Sequence, residues 1–445
     1  MAKHEIRLSD HFDYKRLLTF VFPSIVMMIF TSIYGVVDGF FISNFVGKTP
    51  FAAVNLIMPL PMLLAAPGFM FGTGGSAIVA QRLGEKREQK ANEIFSMLTA
   101  SLIVLAVILT VTGELILKGA ARAMGASDAM LPYCVTYGRI LILGNIPFML
   151  QYYFQSLFVT AGKPHLGLLF TVLAGLTNMI GDALTMGVFH MGVEGAAAAT
   201  VASYLVGGFL PLLYFASKNS SSLRFCRFRM DTGSLVKAMT NGSSELMSNL
   251  SMSIVNMLYN VQLMSYVGEN GVSAYGTIMY VNFIFVSFFV GYSVGSAPIT
   301  SYHYGAGNKP ELKNLLHRSL VLISIFAVAM TAAALLLAPF LSKLFVGYDA
   351  ELYALTVRAF SIYSISFLIL GFNIYASSFF TALGNGGISA LISFLRTLVF
   401  QVVMVLLLPR LFGVDGIWFA VTAAELLALV VSITCLIRNR KRYGY

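Results

Sequence analysis

Hydrophobic residues in this 445-residue chain occur in long runs that are separated by short polar, glycine- or proline-containing segments. A helix needs about 20 mostly apolar residues to cross a bilayer, and twelve runs meet that requirement. The predicted spans cover residues 17–46, 51–82, 94–117, 130–160, 165–187, 192–215, 235–267, 271–302, 315–341, 350–381, 386–411 and 413–437. The pattern therefore predicts an all-α integral membrane protein with twelve transmembrane helices.

The second half of the chain repeats the first at a spacing of about 221 residues. Four short motifs recur in register: Val46-Gly47 with Val267-Gly268, Gly75-Ser76-Ala77 with Gly295-Ser296-Ala297, Tyr153-x-x-Ser156 with Tyr375-x-x-Ser378, and Gly192-Val193-Glu194-Gly195 with Gly413-Val414-Asp415-Gly416. Since six spans separate the two copies, both keep the same orientation in the membrane. We expect two pseudo-symmetric six-helix bundles, which suits alternating access by lobe rocking.

These features divide the chain into five segments. Residues 17–215 form the predicted N-lobe (spans 1–6) and residues 235–437 the predicted C-lobe (spans 7–12). A cytoplasmic linker, residues 216–234, joins the lobes, and residues 1–16 and 438–445 are the expected cytoplasmic N-terminus and basic tail.

Composition and charge placement support this organisation. Hydrophobic residues make up 58% of the chain and charged residues only 11%, less than half the roughly 25% of a soluble domain. Twenty-one of the 29 Lys and Arg residues fall in segments that share the side of both termini, and five fall on the other side. By the positive-inside rule both termini are cytoplasmic, so the surplus reports topology and not nucleic-acid binding. We expect a multi-pass protein of a prokaryotic cell membrane. Its expected partner is the lipid bilayer and not a nucleic acid.

Carboxylates inside the predicted spans are the strongest candidates for functional residues, because burying them in a membrane is costly. They are Asp38, Asp182, Glu245 and Glu425. Counted at 1.5 Å per residue from the outer helix ends, Asp38 lies about 13 Å deep and Asp182 about 9 Å deep. On the same count Asn178, Thr200 and Tyr137 lie about 10–15 Å deep, and Ala196 about 6 Å deep. These groups share one layer of the N-lobe.

That layer offers an all-oxygen ligand set, which fits Na⁺. Two neighbouring carboxylates can equally share a proton, since close like charges raise the pKa of one of them. At the repeat offset the C-lobe carries Tyr259, Phe400, Met404 and Val421 instead. The fold itself therefore does not require the polar layer. No cofactor is expected, and the three widely separated cysteines predict no zinc site.

The repeat, the twelve spans, Asp38, the Asn178-x-x-x-Asp182 pattern and the Gly192-x-x-Gly195-Ala196-x-x-x-Thr200 pattern resemble multidrug and toxic compound extrusion (MATE) transporters of the MOP superfamily. The resemblance covers essentially the whole chain and is nearest to the prokaryotic DinF-like branch. It implies secondary active export of amphipathic or cationic organic compounds in exchange for Na⁺ or H⁺. It also implies that Asp38 is the principal coupling acid. Asn178, Asp182, Thr200 and the Ala196 carbonyl would complete the cation site, and Tyr137 would join its hydrogen bonds.

A second group of residues is expected at the substrate cavity or its gate. Glu245 in span 7 is interpreted as a substrate-cavity or gating acid, the alternative being a structural hydrogen bond. Arg396 in span 11 is a counter-ion or a snorkelling side chain. Methionines such as Met27 and Met257 suit a surface that adapts to varied ligands, although gap filling is their more usual use. Glu425 has no partner that can be assigned from the sequence.

Two other functions remain as alternatives. One is a flippase or exporter of lipid-linked saccharides from the same superfamily, which usually has a more cationic cavity and often extra helices. The other is an intramembrane enzyme, although no HExxH, GxSxG or phosphate-loop motif occurs in the spans. The expected protein is not an enzyme. It is a monomer whose ligands are small-molecule drugs or toxins.

Overall fold

A computed structural model describes residues 6–445, so Lys3, counted above among the basic residues, lies outside the described part. Within the described residues, the first half contains eight α-helices: α1 (Tyr14–Phe45), α2 (Lys48–Ile57), α3 (Pro59–Gly84), α4 (Glu88–Ala123), α5 (Leu131–Leu143), α6 (Asn145–Thr160), α7 (Pro164–Asp182) and α8 (Gly192–Ala216). The second half contains eight more: α9 (Thr232–Tyr266), α10 (Glu269–Gly305), α11 (Lys309–Val346), α12 (Ala350–Ser364), α13 (Phe367–Ala382), α14 (Gly386–Phe394), α15 (Phe400–Phe412) and α16 (Val414–Tyr443). The predicted all-α class is confirmed.

The span count agrees with twelve predicted helices once the bends are considered. Among residues 6–445, nine helical stretches are long and apolar enough to cross a membrane, and two bent helix pairs raise the number to eleven. The twelfth is α9, which has 35 residues but is rich in serine and asparagine and is therefore less apolar than the other spans. Its polar face lines the central cavity described below, which accounts for its composition.

Each half departs from straight α-helices at related places. α5 and α6 meet at a bend of 53°, and α12 and α13 meet at a bend of 47°, in the fourth span of each half. The fifth span of each half contains a π-helical turn, at Ala183–Val188 and at Leu395–Val399. Such turns inside α-helices are frequent at functional sites.

Both described ends of the chain lie on one face of the molecule, which we call the terminal face. His11 contacts Glu311 at the start of α11, and the Tyr443 hydroxyl accepts a hydrogen bond from Asn385 at the start of α14. The linker also lies there, because the Arg224 N–H donates to Asn92 near the start of α4. We call the opposite side the far face.

The buried apolar side chains form two clusters that follow the two halves of the chain. One cluster runs from Ile42 to Ala238 and the other from Val255 to Tyr445. The terminal half of α1 departs from this division, because Leu17, Phe20 and Ile25 belong to the second cluster, as does Val159 of α6. Helix α1 is therefore packed against the second half near the terminal face and against the first half near the far face.

Candidate functional site

The buried polar cluster of the N-lobe lies where α1, α5, α7 and α8 meet. Asp38 comes from the far half of α1, and Asn178 and Asp182 lie one turn apart at the end of α7. Tyr137 comes from α5 and Thr200 from α8. The structure brings together all five side chains that the sequence placed in one layer, because residues at a fixed rise per residue keep their depth in rigid helices.

The side chains of this cluster are almost completely removed from solvent. Asp182 and Tyr137 are 0% exposed and Asp38 is 8% exposed. Asp38 lies beside both Asp182 and Asn178, and Tyr137 lies near both carboxylates. The Asn178 amide is 3.5 Å from the Thr200 hydroxyl, which donates to the Ala196 carbonyl at 3.0 Å. The carbonyl of Ala196 is thus engaged within its own helix.

Most oxygen atoms of the cluster meet no hydrogen-bond partner. They are both carboxylate oxygens of Asp182, one of Asp38, the amide oxygen of Asn178 and the hydroxyl of Tyr137. Three of the four oxygens of the two neighbouring buried carboxylates therefore lack a donor, which is strongly unfavourable unless a positive species joins them. The residues present therefore fit a proton or a small hard cation. Among the described residues no three or more His, Cys, Asp and Glu side chains gather as a metal site.

At the corresponding position of the C-lobe the polar side chains do have hydrogen-bond partners. Tyr259, the repeat counterpart of Asp38, donates its hydroxyl to Gln401 at 3.0 Å. Gln401 follows Phe400, the counterpart of Asn178. The polar atoms that link these two helices therefore satisfy each other, unlike the oxygens of the N-lobe cluster.

A cavity of about 350 Å³ lies between the two halves of the chain. Its walls include Met28, Phe69 and Tyr152 from the first half and Met252, Tyr259 and Tyr275 from the second. This volume falls within the range typical of pockets for drug-sized ligands, about 300–1,000 Å³. Glu245, Arg396 and Glu425 also line the cavity, so the structure places Glu245 and Arg396 where the sequence analysis expected them.

The two methionines that the sequence analysis assigned to the cavity lie elsewhere, and this part of the prediction is wrong. Met27 is 1% exposed and packs beside Gly167 of α7. Met257 is 70% exposed on the outer surface of α9. Met28 and Met252, which lie on the same two helices, line the cavity instead. Successive side chains of an α-helix point about 100° apart around the helix axis. A prediction that has the right helix but the wrong rotation about its axis therefore chooses the wrong methionine.

The partner of Glu425, which the sequence analysis left open, is Arg396. The Arg396 Nε donates to the two carboxylate oxygens of Glu425 at 2.8 and 3.0 Å. Asn373 of α13 donates to Glu425 at 2.8 Å and accepts from Ser432 at 2.8 Å. The signal was present in the sequence, because Arg396 and Glu425 are opposite charges at middle depth in two consecutive antiparallel spans.

Comparison with known proteins gives a consistent family assignment. The MatE family model matches the chain twice, at residues 23–184 and 246–407. The multidrug export protein MepA of Staphylococcus haemolyticus (strain JCSC1435) is 26% identical over 437 residues, covering 96% of this chain and 94% of that protein. Two solved structures have TM-scores of 0.92 at 22% identity and cover 100% of this chain and 99% of theirs. One is a MATE protein in complex with MaL6, and the other is the outward-facing conformation of a multidrug resistance MATE family transporter of the MOP superfamily.

Proposed function

Because this chain belongs to the MatE family, we propose that it is a multidrug efflux antiporter that exports amphipathic organic cations in exchange for Na⁺ or H⁺. The observation that carries the proposal is the buried cluster around Asp38 and Asp182, whose orphaned oxygens require a positive species. A membrane protein with an ion site in one half and a drug-sized cavity between the halves has both components of an antiporter.

Coupling follows from the position of α1. Asp38 and Asp182 repel each other when both are charged and unoccupied, which disfavours close packing of α1 on α7 and α8. A proton or Na⁺ at the cluster removes that repulsion, and Asp38, Asp182, Asn178 and Thr200 are the residues that would hold it. Since the other end of α1 is packed against α10, movement of α1 changes the contact between the lobes. Ion binding and drug binding then influence each other reciprocally.

Alternating access would use residues 17–215 and 235–437 as two rocking lobes, joined by the linker 216–234. The two apolar clusters support this division. A single chain supplies both walls of the cavity, which supports a monomer as the working unit. Orientation with both termini in the cytoplasm of a prokaryotic cell follows from the positive-inside rule.

The test is a flux assay in proteoliposomes with independently imposed Na⁺ and pH gradients, using a fluorescent organic cation. Asp38→Asn and Asp182→Asn should each reduce gradient-driven export at least about tenfold, a loss of roughly 1.4 kcal/mol or more in coupling. Asp128→Asn is the matched control, because the side chain of Asp128 is 91% exposed. Full export by the folded Asp38→Asn protein would refute the assignment of the coupling site. The gradient that drives the native protein identifies the ion.

A further inference from the structure

The central cavity contains three charged side chains among the described residues that line it: Glu245, Arg396 and Glu425. With all three ionised, the cavity carries a formal charge of −1. Every other side chain of the lining is apolar, aromatic, hydroxyl or amide in character. Which of the two carboxylates carries this net negative charge is therefore the main electrostatic factor in the choice of ligand.

Arg396 and Glu425 behave as a fixed, internally neutral pair. Their side chains are 16% and 4% exposed, and two contacts of 2.8 and 3.0 Å join them. The Asn373 amide holds Glu425 through both its carboxylate and its backbone carbonyl, and Ser432 fixes Asn373 in turn. A charge pair held from three helices does not rearrange easily, because each partner would lose several buried hydrogen bonds.

Glu245, in contrast, is not paired. Its backbone carbonyl accepts the amide of Asn249, but its carboxylate makes no hydrogen bond or ion pair with any described residue. The nearest opposite charge is the guanidinium of Arg396, which Glu425 already engages. The side chain is partly exposed to the cavity. It is the one carboxylate in the cavity that is free to meet a ligand.

The cavity also contains groups that suit the apolar body of an organic cation. Tyr259 and Tyr275 are stacked with ring centroids 5.1 Å apart, and both face the cavity. Met252, about two turns of α9 beyond Glu245, adds a flexible thioether to the cavity wall. Aromatic faces and thioethers accommodate varied apolar groups, and aromatic faces also attract cations.

We propose that Arg396 determines the charge specificity of the cavity: by neutralising Glu425 it leaves one free carboxylate, Glu245, so that the cavity takes organic monocations in preference to dications. The inference rests on the proposed transport of organic cations and adds the substrate charge that the site accepts. Removal of the guanidinium would free Glu425 as a second carboxylate. The cavity charge would then become −2, which matches a ligand with two cationic groups.

The test measures binding of two probes to purified protein: tetraphenylphosphonium as the monocation and a decane-linked bis-triphenylphosphonium as the dication. The wild-type protein should bind tetraphenylphosphonium, and Glu245→Gln should weaken that binding about tenfold, as expected for loss of one partly desolvated charge contact. Arg396→Gln should raise the ratio of dication to monocation affinity by about tenfold or more. The double variant Arg396→Gln/Glu425→Gln restores a charge of −1 and should return the ratio to the wild-type value.

The double variant is the matched control, since it removes the same guanidinium without leaving an unpaired carboxylate. The double variant also provides a test if Arg396→Gln alone does not fold. Adding Glu245→Gln to the double variant should then abolish monocation binding, because Glu245 is the carboxylate that binds the monocation. An unchanged affinity ratio in folded Arg396→Gln, or monocation binding that is insensitive to Glu245→Gln, would overturn the inference while leaving transport intact. A wild-type protein that binds neither probe would overturn the proposed function as well.

Discussion

Gly74 of α3 and Gly242 of α9 bring the backbones of the two halves into direct contact at the terminal end of the cavity. A Cβ atom on Gly74 would lie 2.0 Å from the carbonyl oxygen of Ala238, and one on Gly242 would lie 1.9 Å from that of Met70. Closer to the terminal face, the carbonyl of Ala382 accepts hydrogen bonds from Gln81 and Ser301. These contacts close the cavity on the terminal side.

Substitution at this crossing should therefore open the terminal side. Gly242→Ala forces a methyl group against backbone atoms that cannot rotate away, so we expect the lobes to separate there. The experiment uses a cysteine-free background carrying Ser301→Cys, labelled by a maleimide added at the terminal face. Labelling should become about tenfold faster in Gly242→Ala. That factor corresponds to a shift of roughly 1.4 kcal/mol in the equilibrium between the closed and the open terminal side.

Gly276→Ala is the control for this experiment, because a Cβ on Gly276 meets no atom within 4 Å. It should leave the labelling rate of Ser301→Cys unchanged. Equal labelling rates in Gly242→Ala and the parent protein would show that the α3–α9 contact does not hold the terminal side closed.

Asn373 should be important for the stability of the C-lobe. Its side chain is 0% exposed and its amide joins α13 to α16 through Glu425 and Ser432. Asn373→Ala leaves buried polar groups without partners, which should cost on the order of 1–3 kcal/mol. Thermal unfolding in detergent, followed by fluorescence of the buried Trp418, measures the effect.

Asn439→Ala removes an asparagine whose amide, among the described residues, donates to the carbonyl of Cys435 in the same helix. We expect this variant to stay within about 0.5 kcal/mol of the parent. If Asn373→Ala were as stable as Asn439→Ala, the hydrogen bonds around Glu425 would not contribute to folding.

Asp231 should make the start of α9 sensitive to acid. It caps the helix by accepting from the Ser234 N–H at 3.0 Å and pairs with Lys90 at 3.2 Å. The Ser234 hydrogen bonds and the Lys90 ammonium lower the pKa of Asp231 from 3.8 to about 2. Because the folded-state pKa is depressed, this stabilisation is complete above about pH 4 and is lost as the pH falls towards 2.

Hydrogen exchange of the Ser234 amide, corrected for its intrinsic rate, measures this effect. Protection should fall between about pH 4 and pH 2 in the parent protein. Asp231→Asn keeps a capping side chain and should lose the pH dependence, whereas Asp231→Ala should lose about 1 kcal/mol of local protection at neutral pH. A parent protein whose protection does not vary across that pH range would contradict the cap assignment.

The sequence was sufficient for features that depend on position along a helix axis. The spans, the repeat and the common depth of Asp38, Asn178 and Asp182 follow from counting residues at a constant rise. Features that depend on rotation about the axis were less accessible. Met27 and Met257 are each on a correctly predicted helix but on the wrong face of it, because periodic hydrophobicity is weak in helices that are apolar on most sides.

Two further features could not be read from residue spacing. The π-helical turn at Leu395–Val399, which contains Arg396, changes the local register of its helix. The docking of residues before α1 depends on contacts between residues about 300 positions apart. Neither the turn nor the long-range contact leaves a local sequence pattern.

Glu311 should hold the segment that precedes α1 against the second half of the molecule. One carboxylate oxygen of Glu311 accepts the Phe12 N–H at 3.0 Å, and the other contacts the His11 ring at 2.6 Å. Phe12 itself is 0% exposed and packs in the apolar cluster of the second half.

Glu311→Ala removes these charge-assisted hydrogen bonds, worth roughly 1.5–3 kcal/mol each. Hydrogen exchange at Phe12 should therefore accelerate by at least about tenfold, whereas the control Glu88→Gln, at an exposed position in the first turn of α4, should leave it unchanged. Unaltered exchange in Glu311→Ala would mean that apolar packing of Phe12 alone holds the segment in place.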